Sequence, residues 1–242
     1  MLFEAVVLAV SAAGGAIAAV AGFGIGSVLT PVLALQLGTK LAVACISVPH
    51  AAATALRLWM LRSHVDRHVL WSFGLTSAAG GLVGALLHAY AASRALAVVF
   101  GALLLFAGVM GYTGLARRMR FGRREAWVAG ALSGGFGGLV GNQGGIRSAA
   151  LLGFDVSRDA FVATATAIGL VVDAARMPIY LAAEGGRMAV VWPLVAISTA
   201  GALLGTMAGS LLLRRFPEPV FRRIVSAIIV ALGLYMVASP WL

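Results

Sequence analysis

Acidic residues are scarce in this chain, with eight Asp and Glu among 242 residues and charged residues of both signs at only 11%. A soluble domain carries roughly a quarter charged residues, so a water-facing surface of ordinary composition is excluded. The single cysteine, Cys45, excludes an internal disulfide framework. No Gly-x-x-x-x-Gly-Lys-[Ser/Thr] stretch occurs, which argues against a self-contained ATP-driven pump. The start, Met1-Leu2-Phe3-Glu4, lacks a basic n-region, so the first apolar segment is read as retained.

Hydrophobic residues are abundant instead, at 61%. Nearly charge-free runs cover about 2–38, 41–56, 69–93, 95–116, 126–153, 160–183, 188–213 and 224–242. Most approach or exceed the ~20 residues that cross a bilayer as a helix. They leave no region for a soluble domain, so 1–242 reads as one integral membrane domain and an all-α polytopic protein. The net charge of +10 does not imply nucleic acid. Most of its arginines sit between apolar segments, as topology-setting residues do, rather than on one face or in a tail.

A glycine-rich break occurs twice inside apolar sequence. The first reads Gly22-Phe23-Gly24-Ile25-Gly26-Ser27, followed by Pro31. The second, 119 residues on, reads Gly141-Asn142-Gln143-Gly144-Gly145-Ile146, followed by Arg147. Glycine costs a helix roughly 1 kcal/mol relative to alanine. Open backbone at membrane depth survives only where protein buries it or where it lines a polar cavity. Arg57 and Arg176 share the same 119-residue offset, which sets repeat 1 at about 1–116 and repeat 2 at about 125–242.

The basic residues test the topology. If all eight runs were simple crossings, eight would lie on one side (Arg62, Arg67, Arg117, Arg118, Arg120, Arg123, Arg124, Arg187) and seven on the other. That split orients nothing. If each break is the tip of a re-entrant hairpin, Arg62, Arg67, Arg117 to Arg124, Arg158, Arg214, Arg215, Arg222 and Arg223 fall inside, twelve in all. Only Lys40, Arg94 and Arg187 remain outside, as the positive-inside rule requires. Each half is then a Gly-rich re-entrant or broken helix plus about three transmembrane helices, and the halves insert inverted. A first break that only kinks a crossing would move the N-terminus inside and change nothing downstream.

These residues resemble the sulfite exporter TauE/SafE family. The resemblance rests on Gly22-Phe23-Gly24-Ile25-Gly26-(x)4-Pro31 with Gly38-Thr39-Lys40-Leu41-Ala42-Val43-Ala44. In the second half it rests on Gly138 to Gly145 and on Ser157-Arg158-Asp159-Ala160-Phe161-Val162-Ala163-Thr164. It covers essentially the whole chain and implies a carrier in the bacterial inner membrane for sulfite, sulfonates, sulfoacetate or related organic anions. The chain departs from the pattern at Ala150, which stands where the first repeat has Pro31, and at Asn142-Gln143, where a more apolar pair is usual.

The residues point to an anion independently of the family. Helices that start after a glycine break aim unpaired N–H groups and a positive dipole end into the gap. The substrate-binding candidates are therefore Gly22, Gly24, Gly26, Ser27, Gly141, Asn142, Gln143, Gly144, Gly145 and Arg147, whose planar fork suits an oxyanion. The bland alternative is that the glycines only let helices pack closely. Arg57 and Arg176 are further candidates, either as substrate gates or, respectively, as a snorkelling residue and a structural ion pair. Asp173, one turn before Arg176, is the only carboxylate deep in a predicted crossing and is the coupling candidate. Thr164, Thr166, Ser47 and Thr54 are polar groups on the segments after the breaks, where bonding to their own helix carbonyls is the plain reading.

His64-Val65-Asp66-Arg67-His68 is an incomplete zinc pattern, so no metal and no cofactor are expected. His50 and His88 read as interfacial or packing residues. The five-arginine segment from Arg117 to Arg124 reads as a topology anchor meeting anionic lipid. An anion channel is the nearest alternative function. An intramembrane hydrolase built on Ser27 and a histidine is a more distant one. A homodimer is one assembly the sequence leaves open.

Overall fold

The protein is described by a computed structural model covering residues 2–115, 123–142, 144–151, 157–212 and 218–241. Nine α-helices are described: α1 (Leu2–Ala21), α2 (Ile25–Leu61), α3 (Arg67–Tyr90), α4 (Ser93–Thr113), α5 (Arg123–Val140), α6 (Gly144–Leu151), α7 (Arg158–Val190), α8 (Trp192–Leu212) and α9 (Glu218–Ala238). No strand occurs among the described residues.

Seven helical stretches, in α1, α2, α3, α4, α7, α8 and α9, are long and apolar enough to cross a membrane. The sequence offered eight apolar runs, and the difference lies at 126–153. Gly141 divides that run into α5, of 18 residues, and α6, of 8. Large apolar side chains such as Leu75, Val83, Val128, Leu132 and Leu234 stand exposed, as a lipid-facing surface requires. Trp59, Trp71, Tyr90, Trp192 and Trp241 are exposed near helix ends, where amphipathic rings meet the headgroup layer.

In lipid, apolar side chains gain little by burial against one another, so helices associate through close packing of small residues. α1 and α8 run side by side in the same direction, with Leu8 and Ala12 against Gly201, Ala12 against Gly205 and Ala16 against Gly209. α3 and α5 do likewise, with Phe73 and Thr76 against Gly130, Ser77 against Gly134 and Gly81 against Gly138. A Cβ on Gly201 would lie 2.7 Å from the Leu8 carbonyl oxygen, too close for any side chain. α4 and α9 run antiparallel, Gly101 meeting Val237 and Gly108 meeting Val230.

The remaining pair, α2 and α7, is also antiparallel. Arg57 meets Thr166, His50 meets Asp173 and Lys40 meets Glu184 along its length. α2 is interrupted at Gly38, whose φ of 72° and ψ of 157° are not helical. That kink lies against Ser93, beside the end of α3 and the start of α4.

Candidate functional site

Both breaks are built the same way. Gly22 and Gly141 have φ of 79° and 74°, the left-handed region that glycine enters without strain. Each closes its helix by donating its N–H to the carbonyl four residues back, Ala18 and Gly137, at 3.0 Å. Helix resumes at Ile25 and at Gly144, and the first turns of α2 and α6 have N–H groups without intrahelical acceptors.

The two breaks touch. A Cβ on Gly26 would lie 2.8 Å from the Gly141 carbonyl oxygen, and Phe23 packs on Gly144. Ser27 Oγ is 3.5 Å from Asn142 Oδ1. Arg147 donates an NH2 proton to the Gly22 carbonyl at 3.3 Å. Of the candidates, Gly24 faces Ile17 of α1 instead. Gly145 belongs to α6 and offers only backbone. Gln143 lies outside the described residues.

Two arginines are buried here with donors left over. Arg147 is 1% exposed, and its Nε and NH1 have no partner among the described residues. Its NH1 sits over Gly169, 2.9 Å from where a Cβ would stand, with Thr54 on the same spot. Arg57, at 3% exposed, donates Nε–H to Thr166 Oγ1 at 2.8 Å, and its NH1 has no partner among the described residues. Thr166 in turn donates to the Val162 carbonyl at 2.6 Å, so one hydroxyl both bonds its own helix and orients a guanidinium. Asn142 Nδ2 and Thr54 Oγ1 are likewise buried without a partner among the described residues. Among the described residues neither Arg57 nor Arg147 has an ion-pair partner. Burying such a cation without one costs several kcal/mol.

Arg176 is placed differently. Its Nε and NH2 meet Asp173 Oδ1 at 3.0 and 2.7 Å, and NH1 donates to the Gly137 carbonyl at 2.5 Å. Tyr180 donates its hydroxyl to the Gly138 carbonyl, and His88 Nδ1 donates to the Leu139 carbonyl at 2.8 Å. Together the three side chains bond the last carbonyls of α5, Gly137 sharing its oxygen with the Gly141 N–H, and the arginine complements the negative end of its dipole. The ion pair between Asp173 and Arg176 is therefore formed, and Arg176 is engaged as a helix cap.

Residues 7–236 match the family model described as Sulfite exporter TauE/SafE. The chain belongs to this family. The match spans both breaks and all three intramembrane arginines, so it covers the whole candidate site. Membership of the TauE/SafE family makes the chain a multi-pass membrane transporter. No curated protein and no solved structure matches it.

The other TauE/SafE candidates fall outside this contact. Thr164 accepts the Asp66 N–H at 2.9 Å, and Ser47 bonds the Ala44 carbonyl of its own helix at 2.6 Å. Asp66 caps α3 by accepting from Val69 N–H at 3.0 Å. Ser27 is directed at Asn142, whereas His50 faces Asp173 and His88 faces Leu139. No described histidine is in place to activate the serine. A cavity of about 370 Å³ at the Gly38 kink is lined by Thr39, Ser93, Arg94 and Tyr235. Its arginine is stacked on Trp241, 3.9 Å from the ring centre, and it lies apart from the breaks.

Sequence reasoning missed three partners: His50 for Asp173, and Tyr180 and His88 for the end of α5. The separations of 123, 42 and 51 residues leave no local signal.

Proposed function

We propose that this protein is a secondary transporter that carries small sulfur-containing or organic anions, of the sulfite, sulfonate and sulfoacetate class, across the bacterial inner membrane. One observation carries the reading. Arg57 and Arg147 keep buried N–H groups without a partner among the described residues, and Arg147 reaches the Gly22 carbonyl of the first break. An oxyanion there would accept bonds from both guanidiniums, from Asn142 Nδ2 and from the first-turn N–H groups of α2 and α6. It would also supply the missing counter-charge, which is why a charged and not merely polar substrate fits.

Alternating exposure of this site would use two oppositely oriented halves. Support comes from the helix pairing. α1 corresponds in sequence to α5 and α3 to α8, and each pairs across the halves in the same sense, α1 along α8 and α3 along α5. Hairpin tips at the breaks are supported by Ile25 folding back on Gly14, 3.3 Å from a Cβ there. The side assignments are supported by Lys40, Glu184 and Arg187 meeting at one end. Symmetric halves around a central site are the usual construction for alternating access.

Purified protein in proteoliposomes, offered labelled sulfite, sulfonates and carboxylates, tests the proposal. Saturable uptake and counterflow of at least one of these anions is the expected result. Unitary currents without counterflow would assign a channel, and no flux of any anion would remove the proposal.

A further inference from the structure

We propose that His50 is the proton carrier of this transporter and Asp173 its fixed counter-ion, so that each anion crosses together with a proton. The inference rests on the anion-carrier reading above and assigns its driving ion. His50 Nδ1 lies 2.6 Å from Asp173 Oδ2, across the interface between α2 and α7. The other carboxylate oxygen, Oδ1, is held by Arg176. Both oxygens of Asp173 are thus occupied by donors, and its side chain is 1% exposed against 11% for His50. A proton arriving from an aqueous path meets the imidazole and not the carboxylate.

The pairing also settles the tautomer. An ionised carboxylate only accepts, so Nδ1 must carry hydrogen. The lone pair on Nε2 is then the site that takes the proton. Protonation there gives an imidazolium that keeps its Nδ1–H on Asp173, and release from Nε2 restores the neutral ring with the same bond intact. The cycle moves one proton and breaks no contact between α2 and α7.

This group sits in the same slot as the anion site. His50, Thr54 and Arg57 follow at i, i+4 and i+7 on one face of α2. Thr166, Gly169, Asp173 and Arg176 form the facing stripe on α7. From His50 to Arg57 is about 10 Å along the helix, with Arg147 inserted between over Gly169. The charged groups facing His50 are Asp173 and Arg176 from α7 and Arg147 from α6, with Arg57 two turns along its own helix. α1 carries only Glu4, at its start, and α8 carries no charged residue.

The coupling follows from charge. With Asp173 neutralised by Arg176, the slot already holds two guanidiniums without an ion-pair partner among the described residues, and a third cation on His50 is opposed until an anion enters. The anion therefore favours protonation, and protonation favours the anion by the same factor. A merely structural clasp between α2 and α7 would hold the helices without any such exchange.

The test uses wild type, His50→Gln and His50→Asn in proteoliposomes with labelled sulfite and sulfoacetate. Two fluxes are read: anion counterflow without a proton gradient, and uphill accumulation driven by an imposed one at zero potential. Wild type is expected to show both. The two variants are expected to continue counterflow, if more slowly, and to lose accumulation. A wild type with no counterflow removes the anion-carrier reading itself and this inference with it. Counterflow without gradient-driven accumulation in wild type, or accumulation retained in either variant, overturns the assignment of His50 alone. A pH dye inside wild-type vesicles tests the same coupling without a variant: proton movement must accompany sulfoacetate, and its absence refutes the proposal.

Discussion

Replacing Arg147 by methionine keeps a buried stem of similar reach and removes the charge with all its donors. The two nitrogens without a partner among the described residues, Nε and NH1, are those offered to an anion. Hydrogen bonds to a charged group contribute about 1.5–3 kcal/mol each, so losing two costs binding about 3–6 kcal/mol. That corresponds to affinity weaker by about 10²- to 10⁴-fold. Stability should move the other way. The protein loses one long bond, Arg147 to the Gly22 carbonyl at 3.3 Å, and is relieved of a buried cation without an ion-pair partner among the described residues. Replacing buried charge by apolar volume is often neutral or stabilising.

Thermal unfolding in detergent, with and without sulfite or sulfoacetate, reads both effects at once. Anion should raise the wild-type midpoint as RT ln(1 + [L]/Kd) demands and leave that of Arg147→Met unchanged. Without anion the variant should unfold at or above the wild-type temperature. Arg147→Lys should lie between the two, since it keeps the charge and loses the planar fork. A variant that still responds to anion refutes the site. One that unfolds well below wild type without anion shows Arg147 to be a structural clamp.

Gly169→Ala should weaken anion binding by moving the Arg147 guanidinium, whose NH1 stands 2.9 Å from the new methyl, while the helix itself gains from alanine. Reduced flux with unchanged unfolding is the expected pair of results, and unchanged flux would place the guanidinium elsewhere. Gly205→Ala should destabilise by about 1–3 kcal/mol, because its Cβ meets the Ala12 backbone and α1 must part from α8. Gly186→Ala, with nothing within 4 Å, is the matched control and should not destabilise. Reporters fused after Arg187 and after Arg215 should be found outside and inside, respectively. Detection on the reverse sides would discard the inverted-halves reading.

Much of the architecture was legible in the residues themselves. An apolar chain with eight acidic groups has no soluble solution, and left-handed glycines recur 119 residues apart because both halves end a helix the same way. Two of the three basic residues assigned to the outer face, Lys40 and Arg187, come to one end and share Glu184. What sequence could not decide was rotation. In helices apolar on nearly every face, no polar stripe marks which side turns inward. Whether an arginine is paired or free depends on that rotation.

The sequence set Asp173 one turn before Arg176, yet it left open which of Arg57, Arg147 and Arg176 keeps donors to spare. Only tertiary structure separated them. Arg176 is engaged by Asp173 and by a carbonyl at the end of α5, a helix that precedes it by dozens of residues. Arg57 and Arg147 keep unbonded N–H groups because the segments that surround them bring glycines, a threonine and an asparagine, and no carboxylate is paired with either among the described residues. His50, unremarkable as a lone histidine, acquired a chemical role only when folding set it against Asp173. The sequence determined that the chain crosses a membrane and opens its backbone twice. The packing of α2, α6 and α7 decided which charges remain free, because a free charge is defined by what fails to contact it, and contact across a helix interface is not written in local order.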